Sequence, residues 1–381
     1  MFAGGKKVVG LDVGSFQVKA VELRKAGNKL ELTNFGIADV YPNRDRSAAQ
    51  HADVFQLKTN AIQKALQVGK ITAKHTVSAV SGESIIVRYI QLPEMPEAEL
   101  KNALRWEAEE YIPFSIDEVN IDSVILGPSS VPGKVDVLLV SARKDLVNDH
   151  VQLVRQAGLT PVVVDVEGFA FLNCFEVNYA PRREECVCLV HIGADVTNIN
   201  IYVANSSRFS RDINAAGNSI TQSISQKCGV PFAKAEELKY AVGTMAPEGG
   251  GDEPESELIS TIRGTVERLT GSDLGDDTPE STAAKAIQGA LSQLVSEVRR
   301  SIQFFEGQGG GTTVQRVIIG GGSSRLRNLA GYLQGELDIP VELFDPLRNI
   351  SVGKDVDQNL LQQHREQLGA VIGLALRKVI D

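Results

Sequence analysis

One short pattern occurs twice in this chain, and it constrains the fold more than any other feature of the sequence. In each copy a β-rich run ends in a tight glycine turn and a second β-rich run follows, over residues 8–23 and 187–203. Aligning Gly193 with Gly14 places the copies 179 residues apart and puts His191 at the position of Asp12. A hairpin that recurs near mid-chain predicts two related halves, each built on a β-sheet.

Helices and short strands fill the sequence around the two hairpins. Apolar periodicity and breaker residues predict helices over 53–68, 96–111, 144–157, 281–305 and 368–380, and strands over 30–39, 77–80, 119–126, 135–141 and 317–319. This mixture predicts an α/β fold. The helix–strand–strand–helix order between 96 and 157 predicts a small α+β module inserted into the first half. The small residues of the last predicted helix are suited to close packing.

The net charge of −9 is concentrated in one segment. Residues 245–282 contain ten acidic and two basic side chains, which leaves 37 basic and 38 acidic residues in the rest of the chain. Glycine and proline are also frequent there, so the sequence predicts a mobile acidic insertion. No nucleic-acid partner is expected of an acidic chain, although the near-neutral remainder makes this exclusion weaker than the total charge implies.

The cysteine content and the hydropathy of the chain indicate its cellular compartment. The four cysteines, Cys174, Cys186, Cys188 and Cys228, form no CxxC pair, and reduced buried thiols are expected. The five histidines show no metal-ligand spacing. No window resembles a signal peptide or reaches the length of a membrane span, so a cytoplasmic location without direct membrane insertion is predicted.

The glycine turns are candidate phosphate sites. After the strand that ends at Asp12, Gly14 and Ser15 form a turn whose N–H groups can approach anionic oxygens, and Lys19 can neutralise charge. Asp12 can hold Mg²⁺ through water. Taken alone, this turn is more typical of an ordinary hairpin that carries an exposed lysine. The chain contains no GxxxxGK[ST] loop.

Five short motifs in one order resemble the actin-like ATPase superfamily, which includes actin, DnaK-type chaperones, sugar kinases and FtsA. They are residues 12–15, 193–197, 216–218, 235–239 and 320–322, with Glu167 before the second hairpin. The resemblance implies two lobes with a duplicated sheet and helix core and a nucleotide cleft between them. It assigns residues 1–82 and 161–185 to the first core lobe, 83–160 to the inserted module, 186–226 and 314–381 to the second core lobe, and 227–313 to a helical subdomain of the second lobe.

The same resemblance implies ATP or ADP and Mg²⁺ as ligands. Asp12, Glu167 and Asp195 are the catalytic candidates, and Asp12 would orient magnesium-bound water. The candidate nucleotide-binding residues are Gly14, Ser15, Lys19, Gly193, Thr197, Gly217, Asn218, Glu236, Lys239, Gly320, Gly321, Gly322 and Ser323. The hairpin residues of this set would contact phosphates, Glu236 and Lys239 the ribose or adenine side, and residues 320–323 the adenosine.

Within the superfamily, the chain is most similar to the PilM family of type IV pilus assembly proteins. The similarity is carried by residues 10–15 and 18–23 and, more specifically, by 104–114 in the inserted module. It implies an ATP-binding scaffold that recruits or aligns inner-membrane pilus components, binds the N-terminal cytoplasmic peptide of PilN and meets other pilus proteins. Such a protein would be peripheral at the inner membrane through its partners.

Two alternatives belong to the same superfamily. An FtsA-like division protein usually ends in a flexible linker and an amphipathic membrane helix, whereas this sequence ends directly after the predicted packing helix. A small-molecule kinase would need a carboxylate at the second hairpin to deprotonate a substrate hydroxyl.

The second hairpin departs from the superfamily pattern at His191. The usual residue there is an aspartate that supports magnesium or orients the attacking water. A neutral imidazole is a poor magnesium ligand, because hard cations prefer oxygen. Nucleotide binding with at most weak ATPase activity is therefore expected, unless Asp195 compensates.

Overall fold

The computed structural model describes residues 7–27, 29–46, 53–96, 99, 104, 107–129, 131–244, 279–308 and 311–379. The strands are β1 (Val8–Val13), β2 (Gln17–Ala26), β3 (Lys29–Asp39), β4 (His75–Val80), β5 (Ile85–Pro93), β6 (Val119–Pro128), β7 (Lys134–Arg143), β8 (Thr160–Val166), β9 (Val187–Ile192), β10 (Thr197–Val203), β11 (Ser206–Ile213), β12 (Arg316–Gly320), β13 (Val341–Leu343) and β14 (Ile350–Val352). The helices are α1 (Val54–Val68), α2 (Lys144–Gln156), α3 (Glu167–Tyr179), α4 (Gly217–Cys228), α5 (Phe232–Val242), α6 (Pro279–Gly307), α7 (Leu329–Leu337), α8 (Gln358–His364) and α9 (Gly369–Leu376). Residues 107–111 are also helical.

The two main sheets have the same architecture. One has the strand order β14-β3-β2-β1-β4-β8 and the other β11-β10-β9-β12-β13. In the first, β1 pairs antiparallel with β2 and parallel with β4. In the second, β9 pairs antiparallel with β10 and parallel with β12. The duplicated sheet that the repeated hairpin predicts is therefore confirmed.

Helix α9, from the C-terminal part of the chain, packs closely on the first half of the molecule. All eight of its residues are buried, and it packs against α3 and β1. A Cβ atom added to Gly373 would lie 1.6 Å from the carbonyl oxygen of Ala170, and one added to Gly10 would lie 2.5 Å from that of Val371. Glycine is needed at both positions because backbone atoms occupy the space of a side chain. The predicted close packing of this helix is confirmed.

The inserted module contains a three-stranded sheet with the order β5-β7-β6. The strand β5 was not predicted, although its run of Ile, Val and Tyr is typical of a strand. Leu104, Ala108 and Ile112 pack on this sheet with Ile90 of β5 and Val137 of β7. Half of the predicted helix over 96–111, namely residues 97, 98, 100–103, 105 and 106, lies outside the described residues.

Helix α2 and strand β14 both contact the six-stranded sheet, although their positions in the sequence suggest other parts of the fold. Leu153 and Val154 of α2, a helix placed in the module by its sequence position, pack with Ile62 of α1 in the core of the six-stranded sheet. Strand β14, from the C-terminal part of the chain, pairs parallel with β3. The six-stranded sheet and its core therefore draw on distant parts of the sequence.

The remaining expectations concern the cysteines and the acidic segment. All four cysteines are buried and free, as predicted. Of the acidic segment, residues 245–278 lie outside the described residues. Among the helices that the structure describes, none combines the length and apolarity that a bilayer span requires.

Candidate functional site

The two glycine hairpins face each other across a cleft of about 440 Å³. Thirteen of the sixteen residues predicted from the sequence line it: Asp12, Gly14, Ser15, Lys19, Glu167, Gly193, Asp195, Gly217, Asn218, Glu236, Lys239, Gly322 and Ser323. These residues come from both main sheets and from α3, α4 and α5. The duplicated fold thus brings distant segments of sequence into one site.

The turns of the two hairpins are closed by the same hydrogen bond. The N–H of Gly14 donates to the carbonyl of Gln17 at 3.1 Å, and that of Gly193 donates to Val196 at 2.9 Å. A Cβ atom on Gly14 would lie 2.8 Å from the oxygen of Gln17, and one on Gly193 would lie 2.6 Å from that of Val196. A glycine is therefore required in each turn, and the bare backbone of both turns borders the cleft.

The side chains behind the two turns differ in charge. Asp12 and Lys19 are opposite each other in the register of β1 and β2, and their side chains form an ion pair at 2.9 Å. His191 and Asn198 hold the same positions in β9 and β10, where Nδ1 of the histidine lies 3.2 Å from Oδ1 of the asparagine. The first hairpin therefore carries a charged pair and the second an imidazole–amide pair.

His191 is neutral at physiological pH. Burial lowers the pKa of its imidazole to about 4, against the opposing effect of Asp12. Its Nδ1 atom also lies 3.3 Å from Oε1 of Glu167, and the centre of its ring lies 5.0 Å from that of Phe171, with the two planes tilted by 35°. Burial, followed by the charge of Asp12, raises the pKa of Glu167 to about 7. With a neutral ring, the contact between His191 and Glu167 is not a salt bridge.

A series of polar contacts leads from these residues to the root of the inserted module. Nδ2 of Asn198 donates to Oδ1 of Asp212 at 2.7 Å. The other carboxylate oxygen of Asp212 accepts the backbone N–H of Gly82 at 2.7 Å. Because Gly82 immediately precedes the module, the centre of the cleft and the module share one hydrogen-bonded network.

Asp195 connects the two sides of the cleft. Its Oδ1 accepts from Arg46 at 2.8 Å and from Nδ2 of Asn218 at 2.6 Å. Burial alone would raise the pKa of Asp195, but hydrogen bonds from Arg46, Asn218 and Ser15 outweigh it and lower the pKa. The carboxylate is thus held by partners from both halves of the molecule, which leaves little capacity for a catalytic role.

A buried ion pair lies on α5 at the other side of the second hairpin. Nζ of Lys239 is 2.6 Å from Oε2 of Glu236 and donates to Thr221 at 2.9 Å. The same ammonium lies 4.9 Å from the ring centre of Tyr240, whose hydroxyl donates to Gly322 at 3.3 Å. Ionic, hydrogen-bond and cation–π contacts thus hold the side chains of this cluster together at the cleft.

Three predicted residues do not reach the cleft. The hydroxyl of Thr197 is fully buried and donates to the carbonyl of Ala215 at 2.8 Å. A Cβ atom on Gly320 would lie 2.8 Å from the ring of Phe171. Gly321 has a φ of +90° and packs on the backbone of Ile192, 2.5 Å from the position of its absent Cβ. Gly320 and Gly321 thus have no room for a side chain, and the hydroxyl of Thr197 is used within the second sheet and its following loop.

Several cleft residues were missed in the sequence. They are Arg44, Lys58, Ser81, His150, Tyr240, Arg325 and Gln367. Lys58 and His150 come from α1 and α2, which carry no glycine turn to mark them. Burial lowers the pKa of His150 to about 4, and its Nε2 atom lies 2.8 Å from the hydroxyl of Ser78. Within the described part of the chain, no three His, Cys, Asp or Glu residues form a metal-binding group.

Comparison with known proteins gives a family and a fold. The sequence model of a family described as type IV pilus assembly protein PilM matches residues 10–249 and 247–379. A solved PilM–PilN type IV pilus biogenesis complex is 28% identical, with a TM-score of 0.76 and 98% of both chains covered. MreB 5 of Spiroplasma citri bound to AMPPNP has a TM-score of 0.52 at 12% identity, covering 99% of this chain and 97% of its own, which shows a shared fold alone. The predicted actin-like ATPase fold is confirmed.

Curated relatives include cell division proteins. FtsA of Helicobacter pylori strain J99 is 24% identical over 277 residues, which are 70% of this chain and 51% of the relative. FtsA of Pseudomonas aeruginosa is 22% identical over 368 residues, covering 90% of this chain and 84% of the relative. The chain thus spans about half the length of the first of these relatives.

Proposed function

The chain belongs to the family of the type IV pilus assembly protein PilM, and from that premise we propose that it is an ATP-binding scaffold that recruits PilN. The observation that carries the nucleotide part is the pair of glycine turns. Gly14 and Gly193 are closed by equivalent hydrogen bonds and border one cleft from opposite sheets. Backbone turns of this kind suit phosphates, because N–H groups can approach anionic oxygens without a side chain in the way.

The residues present fit a nucleotide. Gly14, Ser15 and Lys19 would hold phosphates from one side and Gly193 from the other, while Glu236, Lys239 and Ser323 would border the nucleoside. A cleft of about 440 Å³ is within the usual range for a small-molecule site. Mg²⁺ would enter with the phosphates, because Asp12 is paired with Lys19 and the raised pKa of Glu167 weakens it as a ligand. When bound, the ion would neutralise phosphate charge.

The second hairpin supports binding more than hydrolysis. The neutral ring of His191 lacks the oxygen that Mg²⁺ prefers. Asp195, which could have compensated, is occupied by Arg46 and Asn218. We expect tight ATP binding with slow turnover. Calorimetric binding and phosphate-release assays on the unmodified protein and on His191→Asp test this, and rapid turnover by the unmodified protein would contradict it.

The partner part of the proposal rests on the solved PilM–PilN complex, which this chain matches over almost its whole length. We expect a peptide with the sequence of the cytoplasmic N-terminus of PilN to bind the full-length protein. Fluorescence anisotropy with the labelled peptide, and with a scrambled peptide as control, measures the affinity. Failure of the native peptide to bind, with or without ATP, would contradict the proposal. Binding would place the protein at the inner membrane through its partner.

The inserted module also contacts the second sheet, so nucleotide binding in the cleft can affect the module. The hydroxyls of Tyr89 on β5 and Ser207 on β11 are 2.5 Å apart, and Arg208 pairs with Asp136 of β7 at 3.1 Å. A ligand that contacts both hairpins favours the closed arrangement of the lobes. We therefore expect ATP to change both protease sensitivity and peptide affinity. Identical values for the nucleotide-free and ATP-bound protein would rule this coupling out.

A further inference from the structure

We propose that Lys58 contacts the terminal phosphate of the bound nucleotide and makes the protein bind ATP more tightly than ADP. This inference rests on the proposed nucleotide binding and names the residue that distinguishes a triphosphate from a diphosphate. Lys58 lies on α1, outside every glycine motif, and its side chain borders the cleft.

The electrostatic neighbours of Lys58 locate it at the phosphate end of the cleft. The charges of Asp195 and Arg46 affect the pKa of the Lys58 ammonium, and the charge of Lys58 lowers the pKa of His150. Asp195 comes two residues after Gly193, in the turn of the second hairpin. Lys58 therefore lines the same cleft as the glycine turns and is within electrostatic range of Asp195.

The nucleoside side of the cleft is formed by a different group. There Tyr240 contacts Gly322, the ammonium of Lys239 lies 4.9 Å from the Tyr240 ring centre and the guanidinium of Arg325 lies 5.9 Å from it. No interaction links this group with Lys58 among the described residues. A nucleotide that fills the cleft from Tyr240 past Gly193 would reach Lys58 with its last phosphate.

The ammonium of Lys58 is available to bind an anion in the cleft. Of the cations that line the cleft, Lys19 pairs with Asp12 at 2.9 Å and Lys239 with Glu236 at 2.6 Å, while Arg325 lies against Tyr240. The neighbouring Arg46 pairs with Asp195 at 2.8 Å. Lys58 makes no hydrogen bond or ion pair with any other residue that the structure describes. Burial, followed by the charge of Arg46, lowers its pKa against the effect of Asp195. Lys58 is partly buried. A partly desolvated ammonium without a partner is costly, and a phosphate oxygen would reduce that cost.

The distinction between nucleotides follows from this position. ADP fills the nucleoside side and the glycine turns but lacks the phosphate that would meet Lys58. Loss of the ammonium should therefore weaken ATP binding and leave ADP binding almost unchanged. A hydrogen bond to a charged group typically changes an affinity by about tenfold to a hundredfold.

The experiment compares AMPPNP, a slowly hydrolysed ATP analogue, with ADP by calorimetry on the full-length protein. Lys58→Met removes the charge and keeps the apolar stem, whereas Lys58→Arg keeps a cation. Lys64→Met is the matched control, because Lys64 is exposed on the same helix. We expect Lys58→Met to weaken AMPPNP binding by about tenfold or more and ADP binding by less than about threefold. Lys58→Arg and Lys64→Met should retain most of the affinity for both.

A pH series supplies a second readout. Affinity of the unmodified protein for AMPPNP should fall as the pH rises through the lowered pKa of Lys58, and Lys58→Met should lose this dependence. Equal weakening of AMPPNP and ADP by Lys58→Met, or no weakening of either, would overturn the assignment. If the unmodified protein bound neither nucleotide, the proposed function itself would fail.

Discussion

Replacing Gly217 with alanine tests how the glycine turn at the end of β12 is attached to the second hairpin. Gly217 is the first residue of α4, and a Cβ atom there would lie 2.2 Å from the hydroxyl oxygen of Ser323. That hydroxyl donates to the carbonyl of Gly193 at 2.9 Å. Because no such pair of atoms can approach so closely, Ser323 must leave its position and give up the hydrogen bond.

The cost can be worked out from these contacts. Overpacking of a tight site costs about 1–3 kcal/mol, and the lost hydrogen bond adds about 0.5–1.5 kcal/mol. We therefore expect Gly217→Ala to lower the free energy of unfolding by about 2–4 kcal/mol. Ser323→Ala alone should cost no more than about 1.5 kcal/mol, because the carbonyl of Gly193 still accepts the N–H of Gly217 at 3.1 Å.

A double-mutant cycle separates the clash from other effects. The Cβ atom of residue 323 lies 3.4 Å from the Cβ position at Gly217, an ordinary contact, so Ser323→Ala removes the offending atom. Urea unfolding of the four proteins should show that Gly217→Ala costs about 2 kcal/mol less when Ser323→Ala is already present. ATP affinity should recover in parallel. Equal costs of Gly217→Ala in the two backgrounds would refute the clash.

Two further predictions concern stability. Because burial lowers the pKa of His150 to about 4, the stability that its neutral ring contributes is present above pH about 6.5 and is lost as the pH falls toward 4. Urea unfolding at pH 7 and pH 5 should show that the unmodified protein loses about 2 kcal/mol more than His150→Gln; equal losses would contradict this. Gly373→Ala would place a Cβ atom 1.6 Å from the oxygen of Ala170 and should cost at least about 4 kcal/mol by thermal unfolding. Gly335→Ala on α7, with no atom within 4 Å, is the control and should change stability by at most about 1 kcal/mol; a normal melting temperature for Gly373→Ala would show that α9 and α3 can move apart.

The parts of the molecule that were predictable are those with a local signal. Glycine at positions 14 and 193 marks turns where backbone atoms leave no room for a side chain, and the repeated spacing predicted the second sheet from the first. Helix α1 begins one residue after Asp53, whose carboxylate accepts the N–H of Phe55 at 2.9 Å. Signals of this kind act over a few residues, so a single sequence contains them.

The parts that were not predictable depend on tertiary packing. Lys58 lies in an amphipathic helix, where a lysine usually faces solvent, and only the fold turns it toward the cleft. Gly320 and Gly321 occur in a motif typical of ligand sites, yet Phe171 and the backbone of Ile192 occupy the space beside them. Strand β14 is three residues long and is defined by its partner strand more than by its own sequence.

The hydrogen bonds behind the second hairpin determine which ring nitrogen of His191 carries the proton. Because the amide nitrogen of Asn198 donates to Asp212, its oxygen is turned toward His191 and accepts from Nδ1. The neutral ring therefore carries its single hydrogen on Nδ1, and Nε2 has only a lone pair. A ring in this tautomer has no proton at Nε2 to give to a departing phosphate. At Nε2 the ring can therefore accept a hydrogen bond from a group in the cleft but cannot donate one.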